Sequence, residues 1–545
     1  MSAPKQCIAD LALINGKIIT VDEKFSVVEA VSVKNGKIQA VGSTDEIKKL
    51  VGSSTKIVDL KGKTVMPGLY DSHMHLINTG MSLNMINCRS PPLMSIEDMK
   101  KAVAEKVKNS KPGEWVLGRG WDQAKLAEQR NPSRWDLDEV SPDNPVTLTR
   151  TCGHLLVANS KALEIAGITK DTPQPVGGKI VKDKNGEPTG MLEEVPAMQI
   201  VRQHIPVSGV PETMDAIKAA CKAFNEHGIT SVVDAGNTED EMVAYQLLKE
   251  KDELTIRVNM MLRAIQGNES IEESVARVEN FPMITGMGDE LLKFQGLKIL
   301  IDGGIGGRTA LLREHYEGDP EDFGLLTVPE ENLQKLVDAA NKRGMLVGIH
   351  CCGGKAMDIV LDTYKKTNKI KSIKGRRFYL IHAYQPTEAN FRDCKKLGIY
   401  VASQPDFLYY LGESYINAVG LDRCKWLKPH RAWLDQGIMT AAGTDSPVTP
   451  FYPFPCLWAA VARRTEMKKI VLGEDQRVSR EEAIRMYTIN GAHLSFEENI
   501  KGSLEPGKLA DMIILDRDIL TCPEDDIKDT KVRTTYLGGK VVYEA

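Results

Sequence analysis

The chain has 545 residues, a formal net charge of -4 and 42% hydrophobic residues, a composition that is ordinary for a globular enzyme. Its length exceeds the ~250–300 residues at which a single hydrophobic core stops growing, so we expect a large domain and at least one other. The charge argues against a nucleic-acid or anionic-membrane partner. No apolar run is long enough to span a bilayer, so we expect no membrane partner. The cysteines have no regular spacing, which predicts reduced thiols in a cytoplasmic protein.

Both ends of the chain have the pattern of short β-strands. Near the N-terminus these patterns surround Asn15-Gly16 and Asn35-Gly36, dipeptides that favour hairpins because both residues tolerate positive φ. Near the C-terminus Gly538-Gly539 separates two more strand patterns. Isolated hairpins rarely form stable sheets, so we predict that residues 1–65 and 495–545 pair into one small β-sandwich domain.

Residues 88–195 differ from the flanking segments in residue composition and predicted elements. Ser95 precedes a helical pattern with a capping-box-like start, and Trp115, Trp121 and Trp135 lie among prolines and aspartates. We interpret this stretch as an inserted subdomain after barrel strand 1 that covers a pocket. The more common alternative is that its tryptophans only build a small core.

The rest of the chain alternates strands with helices. Strands that alternate with helical segments predict an α/β fold of the (β/α)8 TIM-barrel type, here over residues 66–87 and 196–494. The eight predicted strands are 69–76, 229–234, 256–261, 297–301, 346–350, 378–382, 400–403 and 438–442.

Ionisable residues recur at the ends of these predicted strands. Since the active site of such a barrel lies at the carboxyl ends of its strands, we expect the side chains to meet there. Imidazole and carboxylate are the ligand types of hydrolytic zinc, so the set predicts a divalent metal site, with Zn2+ favoured by the ligand chemistry and one or two ions per chain. The residues are His73, His75, Lys298, His350, His382 and Asp445.

Six motifs in a fixed order then point to a family. They are MPGLYDSHMH at 66–75, LKILIDG at 297–303, His350, IHA at 381–383, GTDSPV at 443–448 and GSLEPGKLAD at 502–511. The chain resembles the amidohydrolase superfamily in these motifs, and most closely the amidohydrolase-3 branch, which includes N-substituted formamide deformylase. The resemblance covers nearly the whole chain, because CGH at 152–154 and NSKAL at 159–163 in the insertion also fit.

The resemblance implies an enzyme that acts on a small-molecule substrate. It would be a metal-dependent hydrolase that cleaves an amide-type C–N bond, in an N-acyl, N-formyl or cyclic amide, with metal-activated hydroxide. Asp445 would be both a ligand and the proton shuttle. The implied ligands are His73, His75 and Asp445 for the first metal, His350 and His382 for the second, and a carbamylated Lys298 that bridges the two.

Four further residues are predicted to face the substrate, and one motif departs from the branch. The four are Trp121 and His154 in the insertion and Asp302 and Arg308 in a glycine-rich loop, which lacks the pattern of a phosphate cradle. After His350 the branch usually has a small residue and then Gly-Asp. Here the sequence is Cys-Cys-Gly-Gly at 351–354, with Gly354 where the Asp is expected, so a cysteine sulfur is a further candidate metal ligand.

Two other functions remain open at this point. One is a mononuclear aminohydrolase that deaminates a heterocycle, and the other is a non-catalytic scaffold of the same superfamily. The retention of all six ligand types argues against the scaffold. A homodimer is the default expectation for a soluble enzyme.

Overall fold

The computed structural model describes residues 8–206, 209–267 and 269–545. Its centre is a nearly closed barrel of eight parallel strands, whose order in the sheet follows the chain. This confirms the eight predicted barrel strands. They span Leu69–Met74, Ile229–Asn237, Arg257–Arg263, Leu292–Leu300, Leu346–Cys351, Tyr379–His382, Tyr400–Ser403 and Thr440–Ala442.

Hydrogen bonds join the first and eighth strands just beyond their carboxyl ends. The amide of Asp445 donates to the carbonyl of His73, and the amide of His75 donates to the carbonyl of Ser446, each at 2.8 Å. Below them the buried Asp71 carboxylate accepts the Thr444 hydroxyl at 2.7 Å and the Thr444 amide at 3.0 Å. We call this set of contacts the seam. Because of the seam, residues from opposite ends of the sheet lie side by side on one rim.

Helices cover the outside of the barrel and pack apolar side chains against the strands. Among the helices in the described part of the chain, none is long and apolar enough to cross a bilayer. The helices that follow the insertion are Val210–Glu226, Glu239–Glu250, Ile271–Asn280, Glu330–Arg343, Gly354–Ile370, Glu388–Leu397, Phe407–Tyr410, Gly412–Val419, Leu421–Cys424, His430–Asp435, Pro453–Ala462, Arg480–Met486 and Ile489–Leu494.

Strands from both ends of the chain share one six-stranded sheet, beside a four-stranded sheet from the N-terminal end. Apolar side chains of both sheets form a common core. Asn35-Gly36 turns a hairpin as predicted, but Asn15-Gly16 does not, because the strands on either side of it belong to different sheets. The strands are Leu11–Ile14, Lys17–Ile19, Val27–Val28, Ala30–Lys34, Lys37–Gly42, Lys56–Asp59, Thr64–Pro67, Met512–Leu515, Val532–Leu537 and Lys540–Glu544, with one helix at Thr44–Lys48.

The chain between the first two barrel strands forms a separate sheet of six strands. The helix Glu194–Arg202 packs its apolar side on this sheet. The domain bounds given above stay predictions. Besides a short helix at Leu76–Ser82, the elements are strands Ile86–Asn87, Val116–Trp121, Val146–Arg150, Leu155–Ala158, Lys179–Lys182 and Pro188–Glu193, and helices Ile96–Lys108, Arg134–Asp138 and Ser160–Ile165.

A buried ion pair ties the barrel to the sheets formed by the chain ends. Arg257, at the start of the third barrel strand, donates to both oxygens of Asp511, from Nε at 2.6 Å and from Nη2 at 2.9 Å. The Gly538 amide donates to the same carboxylate at 2.8 Å. A planar two-bond contact of this kind fixes orientation as well as position.

We expect Asp511→Ala to lower the free energy of unfolding by about 3–5 kcal/mol, because it leaves the Arg257 guanidinium buried without a counter-charge. Chemical denaturation measures the change. As a control, Asp10→Ala breaks an exposed pair with Lys34 and is expected to cost much less, because water solvates the separated charges. Equal losses in the two variants would show that the buried pair has no special structural role.

Candidate metal centre

The structure brings the six predicted ligand residues together at the carboxyl rim of the barrel. Lys298 Nζ lies 3.4 Å from His73 Nε2, and His350 Nδ1 lies 3.0 Å from His382 Nε2. His75 Nε2 approaches Asp445 Oδ1 at 3.2 Å. The cluster therefore has nitrogen and oxygen donors from five different strands or strand ends, each within 4 Å of another member.

Asp445 is the centre of this cluster. Its carboxylate lies 3.5 Å from His73 Nε2 through Oδ1 and 3.8 Å from His382 Nε2 through Oδ2. Asp445 Oδ1 is buried and makes no hydrogen bond with the described residues. Burying polar atoms without partners is unfavourable, so an ion that binds in this cluster fits the donors that are present.

Backbone conformation aims two of these side chains. His382 has φ 75° and Asp445 has φ 54°, a left-handed conformation that costs a non-glycine residue of order 1 kcal/mol or more. The seam compensates at Asp445 by hydrogen bonding its amide to His73. Strain of this kind is often found at functional sites.

Burial sets the charge state of the donors. It lowers the pKa of His73, His350 and His382 well below the usual histidine value, with Lys298 and neighbouring histidines adding to the effect. These imidazoles are neutral at pH 7 and present a lone pair. Burial also lowers the pKa of Lys298 to about 8, against the opposing charge of Asp445, so part of its population is an uncharged amine.

Gln404 and Lys428 lie on the side of His382 that faces away from the cluster. Gln404 Oε1 lies 2.6 Å from His382 Nδ1 and accepts a hydrogen bond from Lys428 Nζ at 3.1 Å. An acceptor at Nδ1 requires the proton there, which leaves the Nε2 lone pair facing the cluster. Gln404 Nε2 donates to the Ala402 carbonyl, so each group of the amide has a partner in this orientation.

Cys352, but not Cys351, faces the cluster. Cys352 Sγ lies 3.5 Å from His350 Nε2, and the set His350, Cys352 and His382 has donors close enough to share an ion. A second such set consists of His73, His382 and Asp445. Cys351 Sγ instead faces the backbone carbonyl of Ile381.

A small cavity opens between the cluster and the insertion. The insertion contributes His154 and Arg150 to its wall. His154 Nδ1 lies 2.8 Å from the buried carboxylate of Glu194. Burial opposes the charge on His154, but Glu194 outweighs it and raises the pKa of His154 to about 9.

Asp302 lies beneath the cavity rather than in its lining. Its carboxylate accepts the amides of Cys352 at 3.0 Å, Gly353 at 2.7 Å and Leu311 at 3.0 Å. It thus holds the start of the helix Gly354–Ile370. Gly354, where the branch has Asp, leaves room for Arg313: a Cβ atom at that position would lie 2.5 Å from the Arg313 guanidinium.

Two residues predicted to face the substrate lie elsewhere. Trp121 is fully buried in the core of the insertion, because its indole packs against the inner face of that sheet. The Arg308 guanidinium points away from the rim to Asp322 at 3.2 Å. Neither is among the residues that line the cavity, and of the four only His154 lies in its wall. Contact of Trp121 and Arg308 with the substrate stays a prediction that their placement does not support.

Sequence reasoning missed Gln404, Lys428 and Glu194. Gln404 directly follows the seventh strand, Tyr400–Ser403, so the position of active sites at strand ends could have identified it. Lys428 lies in the loop before the helix His430–Asp435 and Glu194 begins the helix Glu194–Arg202, and only the folded chain brings them to the site.

Comparison with known proteins gives one consistent family. A family model described as the amidohydrolase family matches residues 56–543. N-substituted formamide deformylase from Arthrobacter pascens is 31% identical over 98% of each chain, and Protein LONG AFTER FAR-RED 3 from Arabidopsis thaliana is 32% identical over 100% of this chain and 93% of its own. The crystal structure of an uncharacterised metal-dependent hydrolase from Pyrococcus horikoshii has a TM-score of 0.75 and 31% identity over 94% of this chain and 99% of its own.

We expect Gln404→Leu to weaken metal binding by roughly 10- to 100-fold, because His382 loses the partner that fixes its tautomer and ring orientation. Competition with a chromogenic chelator measures the affinity. Gln246→Leu, on the exposed side of an outer helix, is the matched control. An unchanged affinity in Gln404→Leu would rule out this role for the amide.

Proposed function

The chain belongs to the amidohydrolase family, and on that premise we propose that it is a metal-dependent hydrolase that cleaves an amide-type C–N bond in a small-molecule substrate. N-acyl, N-formyl and cyclic amides are the candidate substrates. The convergence of four histidines, Asp445 and Lys298 at the barrel rim is the observation that carries the proposal. The name of the Arthrobacter relative, a deformylase of N-substituted formamides, supports the choice of bond.

The donors divide into two groups around Lys298. In this proposal His73, His75 and Asp445 hold one divalent ion, Zn2+ by ligand chemistry, while His350 and His382 hold a second. Bound ions would supply Lewis acidity toward the substrate carbonyl and lower the pKa of water to about 7. The neutral imidazoles of His73, His350 and His382 are already in the protonation state that ligation requires.

Lys298 is proposed to bridge the two groups as a carbamate. Its uncharged amine forms an N–C bond to CO2 and releases one proton, which converts a cation into an anion with two oxygen donors. Its position 3.4 Å from His73 Nε2 and its burial support this assignment. Burial favours the uncharged amine that the reaction needs.

Asp445 is proposed to move the proton. It accepts a proton from the attacking water and delivers it to the departing nitrogen, so that water and amide become a carboxylic acid and an amine. Its central position, within 4 Å of three imidazole nitrogens, supports this role. Burial lowers the pKa of two of these imidazoles, His73 and His382, so they carry no competing charge at pH 7.

A mononuclear deaminase is the second candidate. Such enzymes share a glutamate a few residues after the histidine of the fifth or sixth barrel strand. Here Cys-Cys-Gly follows His350 and Ala-Tyr-Gln follows His382. Two metal equivalents per chain favour the amide hydrolase, one favours the deaminase, and none favours a scaffold.

We expect metal-replete protein to hydrolyse members of an amide panel and to lose this activity on chelation. Asp445→Asn removes the proton-accepting carboxylate and is expected to lower kcat by at least about 100-fold. Product formation and metal content are measured on the same samples.

The control is Asp240→Asn, an exposed residue near the start of an outer helix, which should keep full turnover. Undiminished turnover in Asp445→Asn with a full metal complement would remove Asp445 from the proton-transfer role. Labelling with 13C-bicarbonate tests the carbamate separately, by a carbonyl resonance that is absent in Lys298→Met.

A further inference from the structure

A histidine and a cysteine stand two residues apart at the end of the fifth barrel strand. His350 and Cys352 have the spacing that puts two side chains on one face of an extended chain, and both line the cavity. Cys351, between them, belongs instead to the core under the outer helices. The first barrel strand ends with the same spacing in His73 and His75. The fifth strand therefore presents a second pair of metal-binding residue types at the rim.

Hydrogen bonds fix the backbone at Cys352. Asp302 Oδ1 accepts the Cys352 amide at 3.0 Å, and Asp302 Oδ2 accepts the Gly353 amide at 2.7 Å. The Cys352 side chain is 3% exposed and belongs to an apolar cluster that includes Tyr384 and Phe407. The fold thus holds the thiol in place before any ligand binds, as a preorganised metal site requires.

The Cys352 sulfur lies beside the two histidines of the proposed second ion. Cys352 Sγ is 3.5 Å from His350 Nε2. One donor atom from each of Cys352, His350 and His382 can be chosen so that all three lie within 4.8 Å of one another. Sulfur and nitrogen ligands of one tetrahedral Zn2+ ion are about 3.3–3.6 Å apart, so the three side chains are within reach of a single ion.

The two imidazoles direct lone pairs at each other. The Gln404 amide oxygen places the proton of His382 at Nδ1, and the Gly303 carbonyl, 3.3 Å from His350 Nε2, favours a proton there. Since a neutral imidazole has one proton, His350 Nδ1 and His382 Nε2 face each other without one at 3.0 Å. A cation that both nitrogens bind removes this repulsion, and the Cys352 thiol stands next to that pair.

Two other cysteines near the rim do not share this position. Cys351 Sγ faces the Ile381 carbonyl at 3.7 Å. Cys152 lines the cavity, but its sulfur lies toward the glycine-rich loop, where a Cβ atom at Gly307 would be 3.5 Å from it. In the part of the chain that the structure describes, neither cysteine belongs to a group of three donors close enough to hold an ion. Both residues are therefore suitable controls.

We propose that Cys352 binds the second divalent ion through its sulfur, as a thiolate, together with His350 and His382. Ligation replaces the S–H bond by a metal–sulfur bond and releases the proton to solvent. Thiolate sulfur favours Zn2+ over harder ions such as Mn2+, so the two sites of the centre differ in metal preference. This inference deepens the proposed function and rests on it for the presence of the second ion.

The test replaces the metals of the full-length protein with Co2+ and records the absorption spectrum. Sulfur bound to Co2+ gives a charge-transfer band in the near ultraviolet that nitrogen and oxygen ligands do not give. We expect this band in the wild type and its loss in Cys352→Ala. The matched controls Cys351→Ala and Cys152→Ala each remove one sulfur from the same region and should keep the band.

Zinc affinity is the second readout. In competition with a chromogenic chelator, Cys352→Ala is expected to bind one Zn2+ equivalent at least about 10-fold more weakly than the wild type, since even the loss of an outer partner of a ligand costs that much. Cys352→Ser serves as the test if Cys352→Ala does not fold. The inference is overturned if the wild type lacks the band, if a folded Cys352 variant keeps it, or if either control loses it.

The spectrum is read without substrate, which separates this inference from the proposed function. A protein that hydrolyses no amide but shows a band that depends on Cys352 loses the proposed reaction and keeps the sulfur ligand. A protein that hydrolyses amides and lacks the band keeps the proposed reaction and loses the sulfur ligand.

Discussion

The metal centre depends on the contacts that close the barrel between its first and eighth strands. The Asp445 amide donates to the His73 carbonyl, and Asp71 holds Thr444 from below. These contacts bring the start of the barrel to its end, 372 residues apart from His73 to Asp445 by the numbering. They also hold Asp445 in a backbone conformation that it would not adopt alone. Without this closure the first two histidines and the aspartate would lie on separate edges of a sheet.

Burial gives the donors at this rim their chemical character. An imidazole that cannot be solvated as a cation is neutral, and a lysine in the same place is partly an amine. On the facing wall of the cavity, the insertion contributes positive charge. Glu194 keeps His154 charged, and Arg150 pairs with Asp122. The cavity thus lies between a set of neutral donors and a set of fixed cations, an arrangement suited to a substrate with electron-rich oxygens.

The fold was largely predictable because strand and helix periodicity is a local property of the sequence. All eight barrel strands lie where alternating apolar patterns indicated them. The failures concern what a segment packs against. Asn15-Gly16 has the residues of a hairpin turn, yet the chain crosses there between two sheets. Trp121 and Arg308 have plausible residue types for a pocket, but their neighbours in space direct one into a core and the other to Asp322.

The barrel, and the six residues that meet at its rim as predicted ligands, were accessible from the sequence alone, since each of the six lies in or just after a recognisable strand and the order of motifs is specific. Only the tertiary structure decided which groups surround those ligands. Gln404 and Lys428 behind His382, and Glu194 beside His154, are contacts between separate segments of the chain. Such contacts depend on side-chain packing and on burial, and neither quantity is encoded in a local pattern.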